Sequence, residues 1–252
     1  MMTTEQDPRH TAIGALEVSV FRFSAQPGLT ADFLELLGLS SRVSNAAGTW
    51  YELQGEHGVV NLHGAGAAST TDAEPGSTGL VLIARDVTAF AAAVEGIDGL
   101  EVDVWDEAFG RQAIVTHRGR KITINEMQVD PYGYQIQQPT PGPVTVVSHC
   151  HGSDLEQLRD LLVALGFRPV GSDTPDGSSR LESDHATGVV LLHPQDAEAG
   201  DRCDLGLETS DDLGVLAERL RAAGHEPRLA PDAQRVEIVD PEGQLVLITA
   251  RR

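Results

Sequence analysis

Positive charge, cysteine and aromatic side chains are all scarce in this chain, and each shortage removes a class of function. Its 18 Lys and Arg stand against 38 Asp and Glu, for a formal net charge of −20. Such a surface repels phosphate backbones and anionic lipid, so neither nucleic acid nor a membrane is expected as a partner. Two cysteines in 252 residues, Cys150 and Cys203, make neither a disulfide framework nor a zinc-ligand spacing. Cys150 reads as a small core residue. No apolar run approaches the roughly 20 residues of a membrane span. The opening MMTTEQDPRH lacks the charged and apolar regions of a signal peptide. The expectation is a soluble protein of the cytoplasm. Glycine-rich phosphate loops, GxSxG elbows and HExxH runs are missing too. With aromatics at 4%, the few on ligand-facing strands, Phe21 among them, become candidates for stacking on a ligand.

What is present is enough apolar side chain, 40%, to bury substantial cores, and one pattern used repeatedly. In GPVTVVSHCHGSDLEQLRDLLVALGF, residues 142–167, Val144, Val146, Ser148 and Cys150 alternate with Thr145, Val147, His149 and His151, as in a strand. Ser153 and Glu156 have the spacing of a capping box. Leu155, Leu158, Leu161, Leu162 and Leu165 then predict a helix stopped near Gly166. An earlier strand at 16–23 and a helix over 30–37 repeat this unit. Laying Leu37-Gly38-Leu39 on Leu165-Gly166-Phe167 sets Phe21 opposite His149 and Glu17 opposite Thr145. GVVNLH at 58–63 matches GVVLLH at 188–193. Second units follow in each half: strand 80–84, helix 87–94 and a last strand at 119–125 match strand 205–209, helix 211–223 and a last strand at 243–249. The chain thus reads as an α+β protein of four βαβββ modules paired into two curved-sheet domains. The boundaries are a disordered tail at 1–13, a first domain at 14–138, a proline-bearing linker at 139–143 and a second domain at 144–252.

Four such units, with the Leu165-Gly166-Phe167 helix end and the Asp240-Pro241-Glu242-Gly243 turn before the last strand, resemble the vicinal oxygen chelate superfamily. Glyoxalase I, extradiol dioxygenases, fosfomycin-modifying enzymes and bleomycin-resistance proteins belong to it. The resemblance implies cups with the helices outside, and a divalent metal held by His or Gln from first strands and Glu from last strands. It places Glu17, Gly79, Thr145 and Asp204 at the first-strand positions, Thr123 and Leu247 at the glutamate positions, and Asn61 and Leu191 at the corresponding strands of the other units. That is a departure from the family set.

His63 and His193 lie two residues beyond Asn61 and Leu191, a step that preserves the strand face. In the second half, His149, His193 and Asp204 are the set able to attempt a zinc, nickel or iron ion. Glu17, Phe21, His63, His149 and His193 are the expected ligand contacts, with Glu17 either meeting a cationic group or lying at an exposed edge. No cofactor is fixed by these motifs. The leading expectation is a small-molecule binding protein without an obligatory metal. The alternative is a metal-dependent lyase, isomerase or dioxygenase acting on a small oxygenated substrate in the second cup. Monomer and homodimer are both open.

Overall fold

A computed structural model describes residues 16–65, 73–107, 110–128, 133–171, 177–183 and 187–251. The tail expected at 1–13 lies outside the described residues. The first sheet is built from β1 (Glu17–Ser24), β2 (Ser40–Asn45), β3 (Trp50–Gln54), β4 (Val59–Gly64), β5 (Thr78–Ala84), β6 (Leu100–Glu107), β7 (Gly110–His117), β8 (Arg120–Glu126) and β9 (Tyr134–Ile136). Their order in space is β6-β7-β8-β5-β1-β4-β3-β2-β9. The second sheet contains β10 (Val144–Gly152), β11 (Phe167–Pro169), β12 (Ser179–Ser183), β13 (Val189–Pro194), β14 (Arg202–Thr209), β15 (Arg228–Leu229), β16 (Arg235–Val239) and β17 (Leu245–Ala250). It is ordered β11-β12-β13-β10-β14-β17-β16-β15.

Both sheets follow one rule. The first strands of paired units run antiparallel at the centre, β1 with β5 and β10 with β14, and each also pairs in parallel with the last strand of its own unit. Ser19 faces Val59 in one half and Val147 faces Val189 in the other, so the GVV repeats occupy equivalent positions. The fold is α+β, four βαβββ units in two mixed sheets. Strands β2 and β9 escaped the sequence reading. In SSRVSN the bulge between Ser41 and Val43 breaks the alternation, and three-residue β9 is too short to show a period.

Helices α1 (Pro27–Leu36), α2 (Val87–Val94), α3 (Leu155–Ala164) and α4 (Leu213–Ala222) cover one side of the sheets. The predicted leucine stripe of α3 is buried throughout. Its predicted capping box is not formed, because Asp154 rather than Ser153 occupies the N-cap and makes no side-chain cap bond. By contrast, Asp86 and Asp212 cap α2 and α4 with side-chain oxygens accepting from backbone N–H groups two or three residues on.

The halves do not keep separate cores. One apolar cluster joins Leu16, Val18, Leu82 and Phe90 to Leu158, Leu162 and Val190, and the other joins Val20, Phe33 and Leu34 to Leu207, Leu216 and Leu220. Backbone pairing repeats this exchange: Val146 N–H donates to His57 O, and Val18 N–H donates to Thr187 O, both at 2.8 Å. At the junction Gly58 and Gly188, the leading residues of the two repeats, meet at positive φ. A Cβ on either would collide with Val146 or Val18. Only glycine fits there.

Candidate functional site

The face of the second sheet turned away from the helices is where charge collects. Alternation along β10 puts Thr145, Val147, His149 and His151 on that face, and register sets Glu208, Gly206, Asp204 and Arg202 opposite them on β14. Leu191 and His193 follow from β13, and Arg180 and Glu182 from β12. Together with Val170, Pro231, Arg235, Thr249 and Arg251, several of these residues enclose a cavity of about 1000 Å³. Arg180 anchors one wall. Its guanidinium grips both oxygens of Glu208, the longer contact being 2.9 Å, while Nε donates to Glu182 at 2.6 Å. Such a fork is planar and oriented, which fixes the side chain as a surface to bind against. Across the cavity, Arg251 reaches Thr145 Oγ1 at 2.6 Å.

Beyond Ser178 the imidazoles stack. His149 Nδ1 and His193 Nε2 are 2.9 Å apart, with the rings nearly parallel, and His193 Nδ1 lies 3.0 Å from Ser178 Oγ. His151 also stacks on His193, at 4.7 Å between centroids. The His149 ring rests on Gly206, where any Cβ would collide with its Nε2. Burial, helped by the neighbouring imidazoles His193 and His151 and opposed by Asp204, lowers the His149 pKa to about 4. It is therefore neutral near pH 7.

The expected metal set is only partly assembled. His149 and His193 are together, but His149 Nδ1 faces His193 Nε2 and His193 Nδ1 faces Ser178 Oγ, so neither pair of nitrogens points to a common centre with Asp204. Asp204 Oδ2 is held at 3.2 Å by both His151 Nε2 and Arg202 Nε. Among the described residues no group of three His, Cys, Asp or Glu side chains converges as metal ligands do. This donor set does not fit an ion as arranged. The positions assigned through the family resemblance need correction as well. Thr145 faces Glu208 while Asp204 faces His149, four residues along, so the two are on the order of 13 Å apart along the strands. The row crossing the middle of the sheet is Val147, Gly206 and Leu247.

In the first sheet Phe21, Phe23, Trp50 and His63 form an aromatic cluster with centroids 5.2–6.0 Å apart. Glu17 is not at an exposed edge. It is largely buried at the far end of β1, and burial, reinforced by the Glu52 charge and opposed by Arg42, raises its pKa to about 7. Glu52, buried on the same face and paired with Arg42, was overlooked as a second carboxylate there. Asn61 donates to Ser19 Oγ at 2.8 Å, leaving its own Oδ1 buried and unpaired.

Sequence reasoning missed Arg180, Glu182, Glu208, Arg235 and Arg251. For Glu208 the signal was available, since RCDLGLET alternates Asp204, Gly206 and Glu208 onto one face. Arg180 lies on a short strand next to residues 172–176, outside the described residues, and has no local pattern to mark it.

No protein-family model matches this sequence, and no curated protein matches it. Solved structures do. A catechol 2,3-dioxygenase superposes with a TM-score of 0.59 at 13% identity, covering 92% of this chain and 86% of its own. An extradiol ring-cleaving dioxygenase from B. fuscum gives 0.57 at 12% identity, covering 93% and 70%. Homoprotocatechuate 2,3-dioxygenase from Arthrobacter globiformis gives 0.54 at 13%, covering 93% and 78%. At such identities the likeness is one of fold, and the βαβββ pairing agrees with it: the chain has the fold of these solved dioxygenases, four βαβββ units in two mixed sheets.

Proposed function

We propose that this protein binds a small molecule in the second cup, without an obligatory metal. One observation carries the reading: a cavity of about 1000 Å³, walled by the Arg180–Glu208 fork, with Pro231, Arg235 and Arg251 from the β15–β17 end of the sheet and Val170 and Leu191 from the β11–β13 end. A volume of this size takes a drug-sized ligand, and the fixed charged and hydroxyl groups that make up most of this lining are what would orient one. The ligand class is an antibiotic or metabolite with polar groups along one edge. A thermal-shift screen of catechol, hydroxylated aromatic acids and antibiotics tests it, with Leu191→Trp as the blocked cup. A compound should raise Tm by about 2–4 °C in the native chain and not in the variant. No shift across the screen, or a shift retained in Leu191→Trp, would sink the reading.

A second reading, a metal-dependent enzyme acting on a small oxygenated substrate, is favoured by these structural neighbours, which are dioxygenases. His149, His193 and Asp204 would have to reorganise to hold the ion. Calorimetric titration of chelator-treated protein with Zn²⁺, Ni²⁺ and Fe²⁺ separates the two. On the binding-protein reading no site is tighter than about 0.1 mM, whereas tight binding lost in His149→Ala and His193→Ala would favour the enzyme.

A further inference from the structure

The two cysteines, 53 positions apart in sequence, are directly opposite on the central strand pair of the second sheet: Cys150 on β10 faces Cys203 on β14. Both are free thiols, with Sγ atoms 3.4 Å apart. Residues directly opposed in an antiparallel pair have Cα atoms about 4.5–5.5 Å apart, inside the window of about 4.4–6.8 Å that a disulfide requires. Closing the bond asks for side-chain adjustment and no movement of strands. The sulfurs lie on the helix side of the sheet, behind the cup, in contact with the core cluster that contains Leu155 and Leu158.

We propose that Cys150 and Cys203 form a redox modification site, a dithiol that hydrogen peroxide converts to an intramolecular disulfide across the back of the cup. The two thiols differ in a way that divides the work. Cys150 is buried, whereas Cys203 is partly exposed. Peroxide therefore reaches the Cys203 thiolate first, and Cys150, packed behind it, is the resolving partner.

The chemistry balances with peroxide as the oxidant. Cys203 Sγ attacks one peroxide oxygen and the O–O bond breaks. Hydroxide leaves with the electron pair and takes up the proton that Cys203 gave up, forming water. Cys150 Sγ then attacks the sulfenic sulfur of Cys203. The S–S bond forms, the S–O bond breaks, and the departing hydroxyl takes the Cys150 proton as a second water. Two thiols are oxidised and one peroxide is reduced. His149 and His151 flank Cys150, and Asp204 follows Cys203, so the new bond fixes the rung that carries these cup residues.

The test uses the full chain, treated with stoichiometric peroxide under native conditions, then denatured for thiol counting and intact-mass measurement. Both thiols should disappear together, the mass should fall by two hydrogen atoms, and a nonreduced peptide map should join Cys150 to Cys203. Dithiothreitol should restore both thiols. Cys203→Ser should slow consumption of Cys150 by about tenfold or more, and Cys150→Ser should stop Cys203 at a sulfenic acid that a cyclic diketone traps. Both thiols still countable after treatment, oxygen added to one cysteine alone, or a covalent dimer would overturn the proposal, and each can be seen in the unmutated chain.

Discussion

Glu17 shows what burial does to a single carboxyl. On a strand face shared with Glu52 and with Arg42 already committed to Glu52, it holds its proton up to a pKa of about 7 instead of the ordinary 4.5. A raised carboxyl pKa means that the folded chain binds this proton more tightly than the unfolded one. Its contribution is therefore favourable at low pH, and stability falls as pH rises from 4.5 to about 7. Glu17→Gln should remove that slope and leave the variant about 1–3 kcal/mol more stable than the native chain at pH 8. Urea denaturation at pH 5 and pH 8 measures the difference. Equal slopes in the two proteins would show that Glu17 is ionised in the fold.

At the scale of the element, α3 is held by one apolar face. Leu158, Leu161, Leu162 and Leu165 are at most 4% exposed, while Val163, on the opposite side, is 45% exposed. Its N-terminus has no side-chain cap bond, so packing rather than capping supplies its stability. Leu162→Ala should cost about 2–5 kcal/mol, read from the denaturation midpoint at unchanged slope. A loss under about 1 kcal/mol would mean that the cavity closes by repacking. The stripe and its facing were legible in sequence because five leucines at helical spacing leave one arrangement against a sheet. The cap was not, since Ser153 and Asp154 are both competent caps and the backbone entering from β10 decides between them.

For the molecule as a whole, the latch between halves is the buried pair of Arg22 and Asp240, each side chain 2% exposed. Arg22 comes from β1, and Asp240 from the Asp240-Pro241-Glu242-Gly243 turn, where its other oxygen accepts from the N–H groups of Glu242 and Gln244. Neutralising one member of such a pair strands the other charge, so Asp240→Asn should cost about 3–5 kcal/mol. Both tryptophans, Trp50 and Trp105, lie in the first sheet. Their fluorescence therefore reports the first half alone, whereas far-ultraviolet circular dichroism reports both. With cores shared across the halves, the two signals should still change at one midpoint. Separate midpoints would show two independently folding halves.

By itself the sequence determined the repeated unit, its alternating strands, the helix faces and the glycines that open GVVNLH and GVVLLH, because these are set by local periodicity and backbone freedom. Tertiary structure decided everything that depends on register between distant strands. It brought His149 against His193, turned Asp204 toward His151 and Arg202, placed Thr145 opposite Glu208, and set Cys150 beside Cys203. A one-residue slip in pairing would exchange the two faces of a strand, and that register is fixed by the pooled packing of both cores rather than by any single segment.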